Sequence, residues 1–244
     1  MPSAEEASGR GLAAETCFVE VAFLLPGVAA AVDVLVAHLG GVSDINRFPT
    51  VVPGHPVENL VLGILSYLAV GAVVPLALLL LARTGQSPAE LGLRVPRWRG
   101  DVWPAIGIIT GGFGLTLLVA LPFGVLLAHH SGLFGQVPTG HVPKYYIIYG
   151  LAISAITAIT EETLVSGYLL TRLEQLGWSP RWALLLSLTL RTSYHVYYGL
   201  GFLFTIPVGY LLTRSFQKHR SLTRPIVAHF LYDAILLTIS ILAP

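Results

Sequence analysis

Long apolar runs separated by short polar loops set the pattern of this chain. The first runs from about Cys17 to Leu39, with Glu20 near its start and Asp33 inside it. The second covers roughly Leu60 to Ala82, and the third Pro104 to about Ala128. The fourth starts near Tyr145 and continues past two glutamates to Leu170. The fifth is about Trp182 to Tyr198, the sixth Leu200 to Thr213 and the seventh Pro225 to Leu242. About 20 apolar residues make one bilayer crossing. The pattern therefore predicts an all-α, polytopic transmembrane helical bundle of about seven (six to eight) membrane segments. The fifth and sixth runs are joined tightly through YYGLG and the sixth is short, so a re-entrant or tilted pair stands beside two full crossings. The prolines of GVSDINRFPTVVPGHPVEN argue against one continuous helix between the first two runs.

Composition agrees. Of 244 residues, 54% are hydrophobic and only 11% charged, with a mean hydropathy of +0.73. A soluble domain carries about a quarter of its residues as charges, so this chain has too few to cover a globular surface. Glycine (25) and proline (16) fit a membrane bundle, where small residues allow close packing and helix breaks are satisfied by neighbours. The net charge of +1 gives no sign of a nucleic-acid partner. Cys17 is the only cysteine, which excludes an intramolecular disulfide or a multi-cysteine metal site; it reads as a small apolar residue of the first helix. Residues 1–16 are polar and partly acidic, unlike the basic start of a signal peptide, so the run after them reads as a retained span.

Arginine and lysine cluster in three loops. One holds Arg83, Arg94, Arg97 and Arg99, another Arg172 and Arg181, and the third Arg214, Lys218, Arg220 and Arg224. The opposite loops hold only Arg47 and Lys144. Alternating spans put the three basic loops on one side, the cytoplasmic one, with the N-terminus there and the C-terminus outside.

Against this background, charges inside the apolar runs mark candidate chemistry. Glu161 and Glu162 follow YYIIYGLAISAITAIT, about ten residues before Arg172, which at 1.5 Å per residue is roughly 15 Å of helix. Neighbouring helical residues point about 100° apart, so one carboxylate can face a cavity while the other braces it. Adjacent carboxylates in low dielectric also make one a better base for water near neutral pH. Arg191 and His195 are four apart, as are His229 and Asp233, so each pair shares a helix face. An arginine in a span must snorkel or pair with an acid, and the spacing predicts a pair with Glu161 or Glu162. Three polar pairs on three apolar helices form one buried site in this reading. A helix-end carboxylate pair in water, and histidines that only bond one helix to another, are the plainer alternatives. His38, His55, His129, His130, His141 and His219 lie at helix ends or in loops and carry a weaker signal.

Two carboxylates and two histidines fit peptide hydrolysis. One carboxylate takes a proton from water and passes it to the leaving amine, while the histidines and Asp233 position water and stabilise the oxyanion. The same groups could hold zinc, although there is no HExxH and the ligands, Glu161, His195 and His229, would come from separate helices. Ser166 and Ser193 have no GxSxG context. An ion or solute transporter using Glu161, Glu162 and Asp233 as a proton relay is a further alternative, weakened because no internal repeat is evident.

The motifs resemble those of the CPBP family of intramembrane proteases (CAAX protease and bacteriocin-processing, or Abi), which includes the type II CAAX prenyl endopeptidases. EETLVSG is similar to the family's first motif, with Glu161, Glu162 and Gly167, RTSYH to the second, and HFLYD to the third. The usual arginine of the first motif is Ser166 here and the usual aromatic of the second is Arg191, as though the guanidinium reached the carboxylates from the neighbouring helix. The resemblance covers roughly residues 145–242, the expected catalytic core of a single bundle (17–244) behind a polar segment (1–16). It implies Glu161 as the water-activating residue, Glu162 as its support, His195 as a partner in activating water, and His229 with Asp233 as oxyanion or positioning groups. It further implies a multi-pass protein of a bacterial inner or plasma membrane, in contact with membrane lipids. The implied activity is an intramembrane endopeptidase acting on a membrane-anchored or lipidated, CAAX-type prenylated, substrate. No cofactor is expected under a glutamate mechanism. A zinc-dependent protease and a noncatalytic bacteriocin-immunity or partner-binding protein are the alternatives.

Overall fold

The computed structural model describes residues 4–39, 55–127, 144, 146–195 and 200–242. The helices are α1 (Ala4–Leu39), α2 (Pro56–Gly71), α3 (Val73–Arg83), α4 (Trp103–Leu127), α5 (Tyr146–Glu161), α6 (Leu169–Gln175), α7 (Pro180–Ser193), α8 (Thr205–His219) and α9 (Thr223–Leu242). A π turn, Trp98–Val102, leads into α4, a longer π segment, Glu162–Tyr168, joins α5 to α6, and a 3-10 turn, Leu200–Phe204, precedes α8. No strand occurs among the described residues, so the all-α reading holds.

Among the described residues, four stretches are long and apolar enough to cross a membrane: Gly9–Ala29, Pro56–Arg83, Trp98–Leu121 and Tyr146–Gln175. The second of these breaks at Ala72, between α2 and α3. Helix α7 has 14 residues and α8 has 15, each about 21–23 Å long and short of a hydrocarbon core of about 30 Å. Their shortness fits the tilted or re-entrant pair considered above. Helix α9, with 20 residues, is about 30 Å long.

The bundle is apolar on the outside as well as inside. Phe18, Leu118 and Ile148 are each about two-thirds exposed, as expected where acyl chains replace water. Helix α5 packs against α2 and α9, α4 against α8 and α9, α7 against α8, and α1 against α3 and α6. The α5–π–α6 rod therefore runs through the middle. Val19 and Phe23 of α1, Leu81 of α3, Leu164 and Tyr168 of the rod and Phe216 of α8 meet in the main core cluster.

The three basic loops converge at one end. The Leu222 amide donates to the Leu91 carbonyl at 3.0 Å, Gln217 Nε2 to the Pro180 carbonyl at 2.8 Å, and Gln175 Nε2 to Gln86 Oε1 at 3.0 Å. Arg220 pairs with Glu174. Gly92 permits this closeness: it has φ +68°, and a Cβ there would lie 2.6 Å from Ser221 Cα.

Helix α1 begins at Ala4 and runs through both the polar start and the first apolar run. One expectation changes. Arg172, expected in a basic loop, is wholly buried in α6. Its Nη2 donates to Glu15 Oε1 at 2.6 Å and to the Leu80 carbonyl at 2.9 Å, and its Nη1 to Thr84 Oγ1 and Gln175 Oε1, both at 2.9 Å. Tyr168 presents its ring face at 5.2 Å and also donates to Glu15 Oε1, at 2.9 Å. A guanidinium with that many acceptors does not need to snorkel. Cys17 lies exposed on α1. His129, His130 and His141, and the side chains of His38 and Asp33, lie outside the described residues.

Candidate active site

The site begins where α5 changes winding. Glu161 is the last residue of α5 and Glu162 the first of the π segment, all seven residues of which are buried. π windings recur at functional sites because the wider turn re-aims side chains. Here both carboxylates point inward, and Ser166, four residues on, donates its hydroxyl to Glu162 Oε2 at 2.7 Å.

Arg191 arrives from the last turn of α7, where a cation also suits the helix dipole. It grips Glu162 with both ends of its fork, Nη1 to Oε1 at 2.7 Å and Nη2 to Oε2 at 3.1 Å. Nη1 also lies 3.4 Å from Glu161 Oε2, and Nη2 donates to Ser166 Oγ at 3.2 Å. The path is open because position 209 on α8 is glycine; a Cβ there would lie 2.7 Å from Arg191 Cδ. The pair expected from the sequence is thus present, made with both glutamates.

Helix α9 closes the other side. His229 Nδ1 donates to Glu162 Oε1 at 2.8 Å, and its Nε2 lies 3.3 Å from Asp233 Oδ2, one turn along the same helix. Glu162 is therefore fully enclosed, with Arg191, Ser166 and His229 on its two oxygens.

Glu161 differs. Its Oε2 accepts the Tyr194 hydroxyl at 2.6 Å and faces Arg191, while Oε1 has no partner among the described residues. The Tyr194 ring meets Phe23 of α1 edge-on at 5.8 Å, which ties the first helix to the site. His195 lies next to it: its Nδ1 is 2.8 Å from the Arg191 carbonyl and its ring leans against that of Tyr194, tilted by 39° with centroids 4.7 Å apart. A carbonyl only accepts, so Nδ1 carries a proton.

Of the six residues singled out from the sequence, Glu161, Glu162, Arg191, His229 and Asp233 form one connected network, which His195 adjoins through Arg191 and Tyr194. Sequence reasoning missed Tyr194 and Ser166. A tyrosine between two polar site residues on an apolar helix needs a partner for its hydroxyl, and that was the available signal. Neither serine is set up as a nucleophile: Ser166 is held by Glu162 and Arg191, and Ser193 donates to the Leu190 carbonyl at 2.7 Å.

Both Glu162 oxygens are engaged by cationic or hydroxyl donors, and a divalent cation between the glutamates would meet the Arg191 guanidinium. Among the described residues no three His, Cys, Asp or Glu side chains are grouped to hold one.

Residues 143–235 match the family model of the type II CAAX prenyl endopeptidase Rce1-like proteins. The match takes in α5, the π segment, α6 to α8 and the site residues of α9, and leaves α1 to α4 outside. No curated protein and no solved structure matches the chain.

Proposed function

We propose, from the premise that residues 143–235 are those of a CAAX-type intramembrane protease, that this chain hydrolyses peptide bonds with water activated by Glu161. The contrast between the two glutamates carries the reading. Glu162 is 0% exposed with both oxygens engaged, whereas Glu161 keeps 7% exposure and an Oε1 without a described partner.

In this mechanism Glu161 Oε1 takes a proton from water as its oxygen attacks the scissile carbonyl carbon. When the C–N bond breaks, the same carboxyl returns the proton to the leaving amine, so the carboxylate is regenerated. Tyr194 holds Oε2 and turns Oε1 toward the cavity. His195, held on the Arg191 carbonyl beside Tyr194, helps to position the water. Glu162 and Ser166 anchor Arg191, whose guanidinium lies beside Glu161 Oε2. His229 has a carboxylate at each ring nitrogen, which favours a positioning role for it and Asp233 over oxyanion binding. No step runs through a metal.

The substrate class is a membrane-anchored or lipidated peptide entering laterally, with a prenylated CAAX tail as the named precedent. The setting is a bacterial inner or plasma membrane. The test is cleavage of a fluorogenic farnesylated tail peptide by wild type and Glu161→Gln in liposomes, with metal content measured on the same samples. Cleavage by metal-free wild type alone supports the mechanism and the substrate class together. Cleavage that tracks bound zinc overturns the mechanism. Folded wild type that cuts no lipidated or transmembrane peptide overturns the enzymatic reading and favours partner binding.

A further inference from the structure

The loop between α3 and α4 carries features that the site does not use. Asp101, 0% exposed in the π turn, is ringed by three arginines: Arg94 Nη2 at 2.8 Å, Arg224 Nε at 3.5 Å and Arg97 Nε at 3.7 Å. It also accepts the Arg97 amide at 3.0 Å, so its carboxylate fixes the loop as well as the charges. Three cations around one anion leave a surplus of positive charge, and Arg99 has no ion pair among the described residues. The Arg97 side chain is 68% exposed, so its pair with Asp101 leaves most of the guanidinium open.

Apolar side chains alternate with these cations. Val95 is 85% exposed, Trp98 63% and Trp103 55%, the two indoles meeting edge-on at 5.7 Å. They sit where the Trp98–Leu121 span begins, the depth at which tryptophan collects in bilayers. Exposed valine and indole beside arginines held by a buried aspartate match a lipid, with acyl chain on one side and phosphate on the other. They do not match bulk water.

We propose that this loop is a binding site for anionic phospholipid headgroups in the leaflet facing the basic loops. Arg97 and Arg99 would take the phosphate while Val95 and Trp98 insert beside the acyl chains. Asp101 sets the geometry by restraining the arginines, and Arg94 and Arg224 supply the remaining field. The lipid would clamp the entry to α4 against the start of α9, because Arg224 lies in the first turn of α9.

The experiment uses full-length protein in liposomes, with Trp178→Phe and Trp182→Phe so that only Trp98 and Trp103 report. Quenching by brominated phosphatidylglycerol is compared with quenching by brominated phosphatidylcholine. The expected result is stronger quenching by the anionic lipid at equal mole fraction, a preference that falls roughly fivefold or more in Arg97→Gln/Arg99→Gln and returns with Arg97→Lys/Arg99→Lys. Retained helicity and an unchanged Tm show that the variants are folded. Equal quenching by the two lipids, or a preference indifferent to the glutamine variants, overturns the proposal. Loss of the preference in inorganic phosphate, but not in chloride of equal ionic strength, reassigns the site to free phosphate and likewise overturns it.

Discussion

Arg191 Nη2 lies 3.2 Å from Ser166 Oγ, and both donate to Glu162 Oε2. Positions 166 and 191 are on different helical segments yet converge on one carboxylate oxygen. The two departures of this chain from the CPBP motifs it resembles therefore occupy one place in space, which is the link drawn between them from the sequence.

A guanidinium supplied from either position should then serve. Arg191→Phe alone is expected to lose cleavage and stability, and adding Ser166→Arg should restore a substantial part of both. Thermal unfolding in detergent and peptide cleavage on the single and double variants check this. A double variant no better than Arg191→Phe would break the proposed equivalence.

Arg191→Met strands the buried Glu162 charge. Removing one partner of a buried ion pair costs about 3–5 kcal/mol, so the Tm should fall sharply. Glu162→Gln in the same chain should recover stability without recovering cleavage. The interaction energy from the double-mutant cycle is the readout.

Tyr194→Phe keeps the ring against Phe23 but removes the donor to Glu161. A hydrogen bond to a charged group contributes about 1.5–3 kcal/mol, so kcat should drop by about 10- to 100-fold. Substrate KM should change little, since the hydroxyl is assigned to orienting the base.

Gly209→Ala tests the arginine's path. The new methyl would lie 2.7 Å from Arg191 Cδ, and overpacking of this kind typically costs about 1–3 kcal/mol. Cleavage should fall more than stability, because the displaced group is the fork on Glu162.

Much of this was legible in the chain. Apolar run length gave the helices, and spacing of four put His229 with Asp233 on one face of α9. The same spacing misplaced His195, because α7 ends at Ser193 and His195 lies in the turn beyond it. The scarcity of charge in the spans pointed Arg191 at the glutamates, 29 and 30 residues away. The π winding was not legible, because residues 162–168 carry no side-chain pattern that separates a π turn from an α turn. Arg172 was misread for another reason. Near a run of loop arginines it looked solvated, and only acceptors from α1 and α3 make its burial tolerable. Local sequence cannot announce partners supplied by distant elements.

The bond between Arg172 and Glu15 spans 157 positions, and that separation sets an order of events during synthesis. At about 5–20 residues per second, α1 waits roughly 10–30 s after its acid is made before the matching guanidinium emerges. Until then the first helix can shift along its axis or rotate in the bilayer. Since Phe23 on that helix backs Tyr194, a nascent chain would join α1 to the glutamate site only after α6 and the end of α7 have been laid in. The clasp thus ties the first helix to an element made 157 positions later.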